Sequence, residues 1–294
     1  MIDTLKMYII THKDFSMPTI SEGGYIPLLV GAVDKPKALT DKYLCDDNGE
    51  NISCKNNSYC EMTGLYWIWK NTNDKYIGLV NYRRYFLNNA WRLKVQYDYY
   101  VKNIDSEEEN HIITEKEIET LLKNNRLAVK KSKIYRKKTL KLFETFVGKE
   151  CINETIDVLK KEQNFKSYIN YLNKHEFIEC NMFIGEKKII NQWCEWIFEV
   201  LDNIDKLHYQ KTNEYYCNRE LGYIAEMLFG AWIEVNNIDY IVLDVITPGK
   251  SNQSRISGFE KNRTFIVCIV FFRIWLVKEK NLYSIVNLEV LKNC

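Results

Sequence analysis

Short apolar runs alternate along this chain with longer segments whose apolar residues recur at helical spacing. Met7 to Ile10 is a β-prone run ending in Thr11-His12-Lys13, the pattern of a buried strand that delivers polar residues at its C-terminal edge. Residues 14–57 are rich in Gly, Pro, Asp and Asn and read as loops with short elements. Ser58-Tyr59-Cys60-Glu61 fits an S-x-x-E capping box, and Met62, Leu65, Tyr66 and Trp69 follow at helical spacing, so a helix is expected from Ser58 to about Asn71. Tyr76 to Val80 is a compact apolar strand that runs into Asn81-Tyr82-Arg83-Arg84-Tyr85. Thr114 to Glu117 is a second capping box, opening a helix that reaches about Asn124. Residues 153–174, 187–205 and 214–232 read as helices, and Met182 to Ile184 and Tyr240 to Leu243 as strands.

This alternation over the first 245 residues or so predicts an α/β sandwich. Thr264 to Val277 is different in character, an apolar run interrupted by Arg273 and shorter than the roughly 20 residues a transmembrane helix needs. It reads as a packed helix, an interfacial membrane-peripheral helix or a partner-binding segment. A main domain is therefore expected over 1–250, with a tail over 251–294.

Composition narrows the partners. The 41 basic and 39 acidic residues leave a net charge of +2, which argues against nucleic acid as the main partner. Aromatics make up 14%, and Tyr and Trp suit sugar rings and nucleobases as well as a core. The nine cysteines include no C-x-x-C pair, and Met1 to Lys13 has no basic region followed by a long apolar run, so a cytoplasmic protein is expected. Lys130 to Lys141 is lysine-rich and reads either as a solvated loop and helix face or as a surface for phosphates or lipid headgroups.

None of the phosphate-loop, nucleophile-elbow, H-E-x-x-H or G-x-G-x-x-G signatures is present, and four His make a histidine-based metal cluster unlikely to arise. Five polar and aromatic clusters remain. Thr11-His12-Lys13 could meet a base, ribose or diphosphate, or could cap a helix. Asp46 to Ser53, with Asp46, Asp47, Asn51 and Ser53, has the groups for ribose hydroxyls or a divalent cation, and equally those of an ordinary turn. On the expected helix, Tyr59 and Glu61 lie near the start, where Glu61 is either the reciprocal cap or a catalytic carboxylate. Trp69 there is either core or a sugar platform. In Asn81-Tyr82-Arg83-Arg84, strand alternation sets Arg83 opposite Tyr82 and Arg84, and adjacent guanidiniums at a strand's carboxyl edge call for carboxylates or phosphates. Last come Asn181 and a segment in which Arg219, Tyr223 and Glu226 share one helix face, as a surface ion pair or as a carboxylate aimed into a cleft.

These clusters, in this order, resemble a bacterial glycosyltransferase family whose genes are typical of capsule, exopolysaccharide and O-antigen (lipopolysaccharide) clusters. The resemblance runs through Ile10-Thr11-His12-Lys13, Asp46 to Ser53, Lys55 to Asn71, Gly78 to Phe86, Asn181 to Ile184 and Arg219 to Glu226, spanning about residues 7–235. Asn81 stands where the family usually has His. The resemblance implies a GT-A-like α/β/α sandwich with a mixed central sheet and a helical C-terminal part. It also implies a UDP-sugar donor, with galactofuranose favoured over a hexopyranose, and a glycan acceptor, lipid-linked and reached at the inner face of the plasma membrane. A catalytically lapsed carbohydrate-binding or assembly protein is the alternative of another class. Under the enzyme reading, Glu226, Glu61 and Asp47 are the candidate bases, in that order. Thr11, His12, Lys13, Asp46, Asn51, Ser53, Tyr59, Asn81, Tyr82, Arg83 and Arg84 would line the donor; Trp69, Asn181, Arg219 and Tyr223 would line the acceptor or sugar. The chain has no D-x-D at a strand end, so Arg83 and Arg84 are expected to supplement or replace a divalent cation (Mn or Mg) at the leaving diphosphate.

Overall fold

The computed structural model describes residues 5–18, 20, 24–87, 112–122, 127–131 and 134–247. The apolar run at 264–277 and the expected tail lie outside these residues. Nine strands are described: β1 (Leu5–Thr11), β2 (Tyr25–Leu29), β3 (Leu44–Cys45), β4 (Tyr76–Asn81), β5 (Tyr85–Phe86), β6 (Leu127–Lys131), β7 (Ile178–Glu186), β8 (Tyr240–Val242) and β9 (Val245–Ile246). The helices are α1 (Lys37–Thr40), α2 (Asn56–Tyr59), α3 (Met62–Asn71), α4 (Glu115–Leu122), α5 (Thr139–Leu159), α6 (Phe165–Leu172), α7 (Lys187–Thr212) and α8 (Glu220–Val235).

Seven strands form one mixed sheet in the order β3-β2-β1-β4-β7-β6-β8, and β5 pairs with β9 in a small ribbon. β3, β2, β1 and β4 are mutually parallel, whereas β7 runs antiparallel to both β4 and β6. Strand alternation divides the core between the two faces. Tyr8, Ile10, Leu28, Leu79 and Phe183 pack toward the helical layer containing α3 and α5–α8. Met7, Ile9, Val80, Met182 and Ile184 pack toward α4 and the β5–β9 ribbon. Both sheet faces are thus covered, which explains why β1 and β4 read as unbroken apolar runs rather than as an alternation. Much of the aromatic share is core: Trp193 is 1% exposed and meets Trp196, Phe229 and Trp232.

Several expectations change. The short elements of 14–57 include β2 and β3, and Pro27 is tolerated in β2 because β2 meets β3 only at Leu28 and Leu29. The Ser58 capping box does not form. α2 ends at Tyr59, Cys60 takes φ 51° and ψ −126°, and α3 begins at Met62 without a side-chain cap. The Glu117 half of the second capping box forms, with Glu117 Oε2 accepting from the Thr114 N–H at 2.9 Å and the Thr114 hydroxyl at 3.0 Å. The helical stretch at 153–174 is the end of α5 plus α6, and α5 starts at Thr139 and turns at Gly148, where φ is 82°. Residues 214–219 are a loop, and α8 begins only at Glu220.

Candidate functional site

Parallel pairing sends the C-terminal ends of β1, β2, β3 and β4 to one edge of the sheet, the edge where open α/β sheets bind ligands. Because β7 is antiparallel to β4, its beginning, Ile178 to Asn181, arrives at that same edge. There Cys180 (φ 74°) and Asn181 (φ 48°) both take left-handed backbone, and the β6–β7 register shifts beside them. Asn tolerates this region better than most residues, and the kink re-aims both residues out of the ladder.

The kink grips two carboxylates. The Cys180 N–H donates to Glu226 Oε1 at 2.6 Å, and Asn181 Nδ2 donates to Glu61 Oε1 at 2.9 Å and to the Gly222 carbonyl at 3.3 Å. Gly222 lets α8 seat closely: a Cβ there would lie 3.1 Å from Cys60 Cβ and 3.2 Å from the Tyr59 carbonyl oxygen. Glu61 and Glu226 keep a partly exposed edge, but protein crowds both carboxyls. Burial pushes Glu226 up to about 7; the Cys180 N–H opposes the shift, Glu61 adds to it, and Lys130 and Arg84 oppose it. Burial raises Glu61 as well, against its bond from Asn181 and the charges of Arg219 and Arg84. Arg84 is therefore within electrostatic reach of both acids.

Cations gather on the other side of this edge. Lys13 Nζ lies 5.6 Å and the Arg83 guanidinium 5.1 Å from the centre of the Tyr82 ring, and His12 meets that ring edge-on at 5.5 Å. Desolvation, then Lys35, Lys13, Arg83 and Arg219, lower the His12 pKa, so the imidazole is neutral at pH 7. The alternation expected for Tyr82 to Arg84 is broken because β4 ends at Asn81. The Asn81 side chain accepts from the Arg83 N–H at 3.1 Å and its carbonyl from the Arg84 N–H at 2.8 Å, making a tight turn. Arg83 thus lies over Tyr82 rather than opposite it, and Arg84 faces the acids. Arg219 precedes α8 with φ 71°, opposes the rise that burial gives the Cys60 thiol and lies 5.2 Å from the Tyr223 ring centre.

The remaining expected residues make contacts within the protein. Asp46 is fully buried, accepting from the N–H groups of Gly31 (3.1 Å) and Ala32 (3.0 Å) and the hydroxyls of Ser53 (2.5 Å) and Thr63 (2.6 Å). Thr11 is buried and its hydroxyl closes the turn onto the Lys13 carbonyl, while Asn51 bridges Gly49 and Ser53. Tyr59 is 2% exposed and packs in the helical-layer core. Asp47 is exposed, and Trp69 stacks on Phe198 at 5.7 Å beneath Lys70. Glu61 is not the reciprocal cap, since its carboxylate reaches Asn181 instead. Sequence spacing missed Cys180 and Lys35; only the β7 kink and the strand order bring them to this edge.

Among the described residues, Glu150, Glu154 and His208 place ligand atoms within 4.8 Å of one another, away from the strand edge between α5 and α7. Glu154 is already engaged by Tyr216 (2.6 Å), Lys211 (3.1 Å) and His208 (3.2 Å). No helix among the described residues is long and apolar enough to cross a membrane.

Among solved structures, this chain is similar to the WbbM bifunctional glycosyltransferase in its apo form, with a TM-score of 0.63 and 22% identity. The likeness covers 85% of this chain and 46% of that one, so this chain spans less than half of that protein, and at such identity it concerns the fold. No curated protein matches. Residues 6–237 match the family described as Domain of unknown function (DUF4422), and the chain belongs to that family.

Proposed function

We propose that this protein is a nucleotide-sugar-dependent glycosyltransferase with a GT-A-like domain over 1–250, building a bacterial capsular, exopolysaccharide or O-antigen glycan. The observation that carries this reading is one sheet edge holding a raised carboxylate, Glu226, opposite a cluster of cations. That is the arrangement needed to take a proton from a hydroxyl while stabilising a departing diphosphate. The similarity of the fold to a glycosyltransferase structure supports the same class.

In an inverting displacement, the Glu226 carboxylate accepts the acceptor hydroxyl's proton as that oxygen bonds to the anomeric carbon. The bond from this carbon to the diphosphate oxygen breaks, and its electron pair leaves with the nucleotide. Lys13, Arg83 and Arg84 meet the charge that develops there. Tyr82 and neutral His12 supply ring faces and hydrogen bonds beside it, and Asn181 with Arg219 and Tyr223 flanks the acceptor side. The donor is a UDP-sugar, with UDP-galactofuranose the first to test.

The groups beside Tyr82 are guanidiniums and an ammonium, and one oxygen each of Glu61 and Glu226 already accepts a hydrogen bond from the protein. In this reading cationic side chains, rather than a divalent cation, hold the diphosphate. Thermal melts with UDP, GDP, CMP and ADP, each with and without Mn²⁺, test both parts. Stabilisation by UDP alone, unchanged by Mn²⁺, is the expected result. Stabilisation that requires Mn²⁺ would remove the cation clamp, and no stabilisation by any nucleotide would remove the glycosyltransferase reading.

A further inference from the structure

Five aromatic side chains form a continuous row that ends on α8. Tyr135 stacks on Phe177 at 5.4 Å, Phe177 meets Phe143 at 4.9 Å, Phe143 meets Phe146 at 5.6 Å, and Phe146 stacks on Tyr223 at 5.4 Å. Phe143 and Phe177 are core, but the row surfaces. Phe146 is 50% exposed, and Ile134, next to Tyr135, is 75% exposed. Neither side chain closes the core, and two large apolar side chains facing water near the ends of one aromatic row mark a contact surface.

The charge around these two residues is one-sided. Arg136, Lys137, Lys138, Lys141 and Lys149 are all exposed, and Lys141 pairs with Glu144 at 2.6 Å. Lys141, and behind it Lys149 and Lys137, hold the Glu144 carboxyl below its usual range, which places these cations in one local field. Apolar tips among exposed cations match an anionic lipid interface, where the tips enter the acyl boundary and the cations meet phosphates. A neutral glycan would instead call for amides and carboxylates around the rings.

The row also has a direction. It ends on Tyr223, one turn before Glu226 on α8, and begins on Tyr135, whose hydroxyl pKa is raised by burial and then by the nearby Glu226 and Cys180. We propose that Ile134, Phe146 and the cations around them dock this protein on an anionic phospholipid surface, with the helix that carries Tyr223 and Glu226 held close to the lipid plane. This rests on the patch and not on the assigned reaction.

The test is co-sedimentation of the full chain with vesicles of phosphatidylcholine alone and of phosphatidylcholine mixed with phosphatidylglycerol. The protein is expected to bind the mixed vesicles and not the neutral ones. Replacing both apolar tips (Ile134→Asp, Phe146→Asp) should lower partitioning at least about tenfold. Reversing three charges (Arg136→Glu, Lys137→Glu, Lys138→Glu) should lower it about a hundredfold. Circular dichroism melts matching the parent would show that both variants fold. Equal binding to the two vesicle types, no binding by the parent, or full binding retained by either folded variant would overturn the proposal; the last result would assign attachment to another part of the chain.

Discussion

The main-chain N–H of Cys180 donates to Glu226 Oε1 at 2.6 Å, joining a strand kink to a helix 46 positions further along the chain. The bond works against burial. Burial drives the carboxyl toward the neutral acid, while the N–H and the nearby cations favour the anion, and the balance lies at about 7. A carboxyl poised there suits a general base at neutral pH.

Glu226→Gln should lower the rate of sugar transfer about 10²- to 10⁴-fold, with little change in nucleotide affinity. In the parent, log kcat/KM should rise with pH and level off above about 7, as Glu226 loses its proton. Initial rates across pH 5 to 9 check both. A variant retaining parental rates would remove Glu226 from the chemistry.

The same carboxyl links stability to pH. Its folded-state pKa of about 7 lies above the ordinary value of 4.5, so the contribution of Glu226 is fully present below 4.5 and is lost as pH rises through 7. Glu226→Gln should therefore raise the melting temperature relative to the parent at pH 8 more than at pH 5. Melts at the two pH values decide the sign.

The two arginines should separate. Arg84 holds both acids toward their charged forms, so Arg84→Ala should move the rising limb of the rate profile to higher pH. Arg83 lies over Tyr82 and reaches neither acid, so Arg83→Ala should weaken UDP binding about tenfold and leave that limb in place. Calorimetric titration with UDP and a pH–rate profile for each variant distinguish the roles.

Asp46 ties together four donors from β2's exit, Ser53 and α3. Asp46→Ala should destabilise the protein without ligand by about 2–5 kcal/mol, because buried donors are left unpaired. Denaturant unfolding without nucleotide measures this. An unchanged midpoint would return Asp46 to the list of ribose ligands.

Asn181 combines a side-chain role with a backbone one. Asn181→Ala should cost about 1–3 kcal/mol through the lost bonds to Glu61 and Gly222 and the left-handed φ of 48°. Asn181→Gly should recover the backbone part and leave the loss at Glu61. Comparing the two unfolding midpoints separates the contributions.

The apolar runs of β1 and β4 and the periodicity of α3, α7 and α8 identified an α/β sandwich, because burial on both faces leaves long apolar runs and burial on one face leaves a helical stripe. The polar residues placed after β1 and β4 were legible for the same reason: a buried strand can shed its apolar pattern only where it emerges. Glu61 shows where local pattern failed. Ser58 to Glu61 has the letters of a capping box, yet the chain breaks at Cys60 because α8 packs against that corner through Gly222. Asp46 and Ser53 carry the residue types of a ligand-binding turn, and only their burial shows that the protein uses their oxygens itself.

By itself, the sequence determined the main buried strands and helices, their apolar faces and the polar residues at the ends of β1 and β4, all set by interactions between near neighbours. The tertiary structure decided which of those polar groups meet. Antiparallel β7 brings Cys180 and Asn181 to the edge formed by β1 and β4, and α8 brings Glu226 to Glu61. The pKa of Glu226 follows from that meeting, since desolvation and neighbouring charge depend on distance in space and not on separation along the chain.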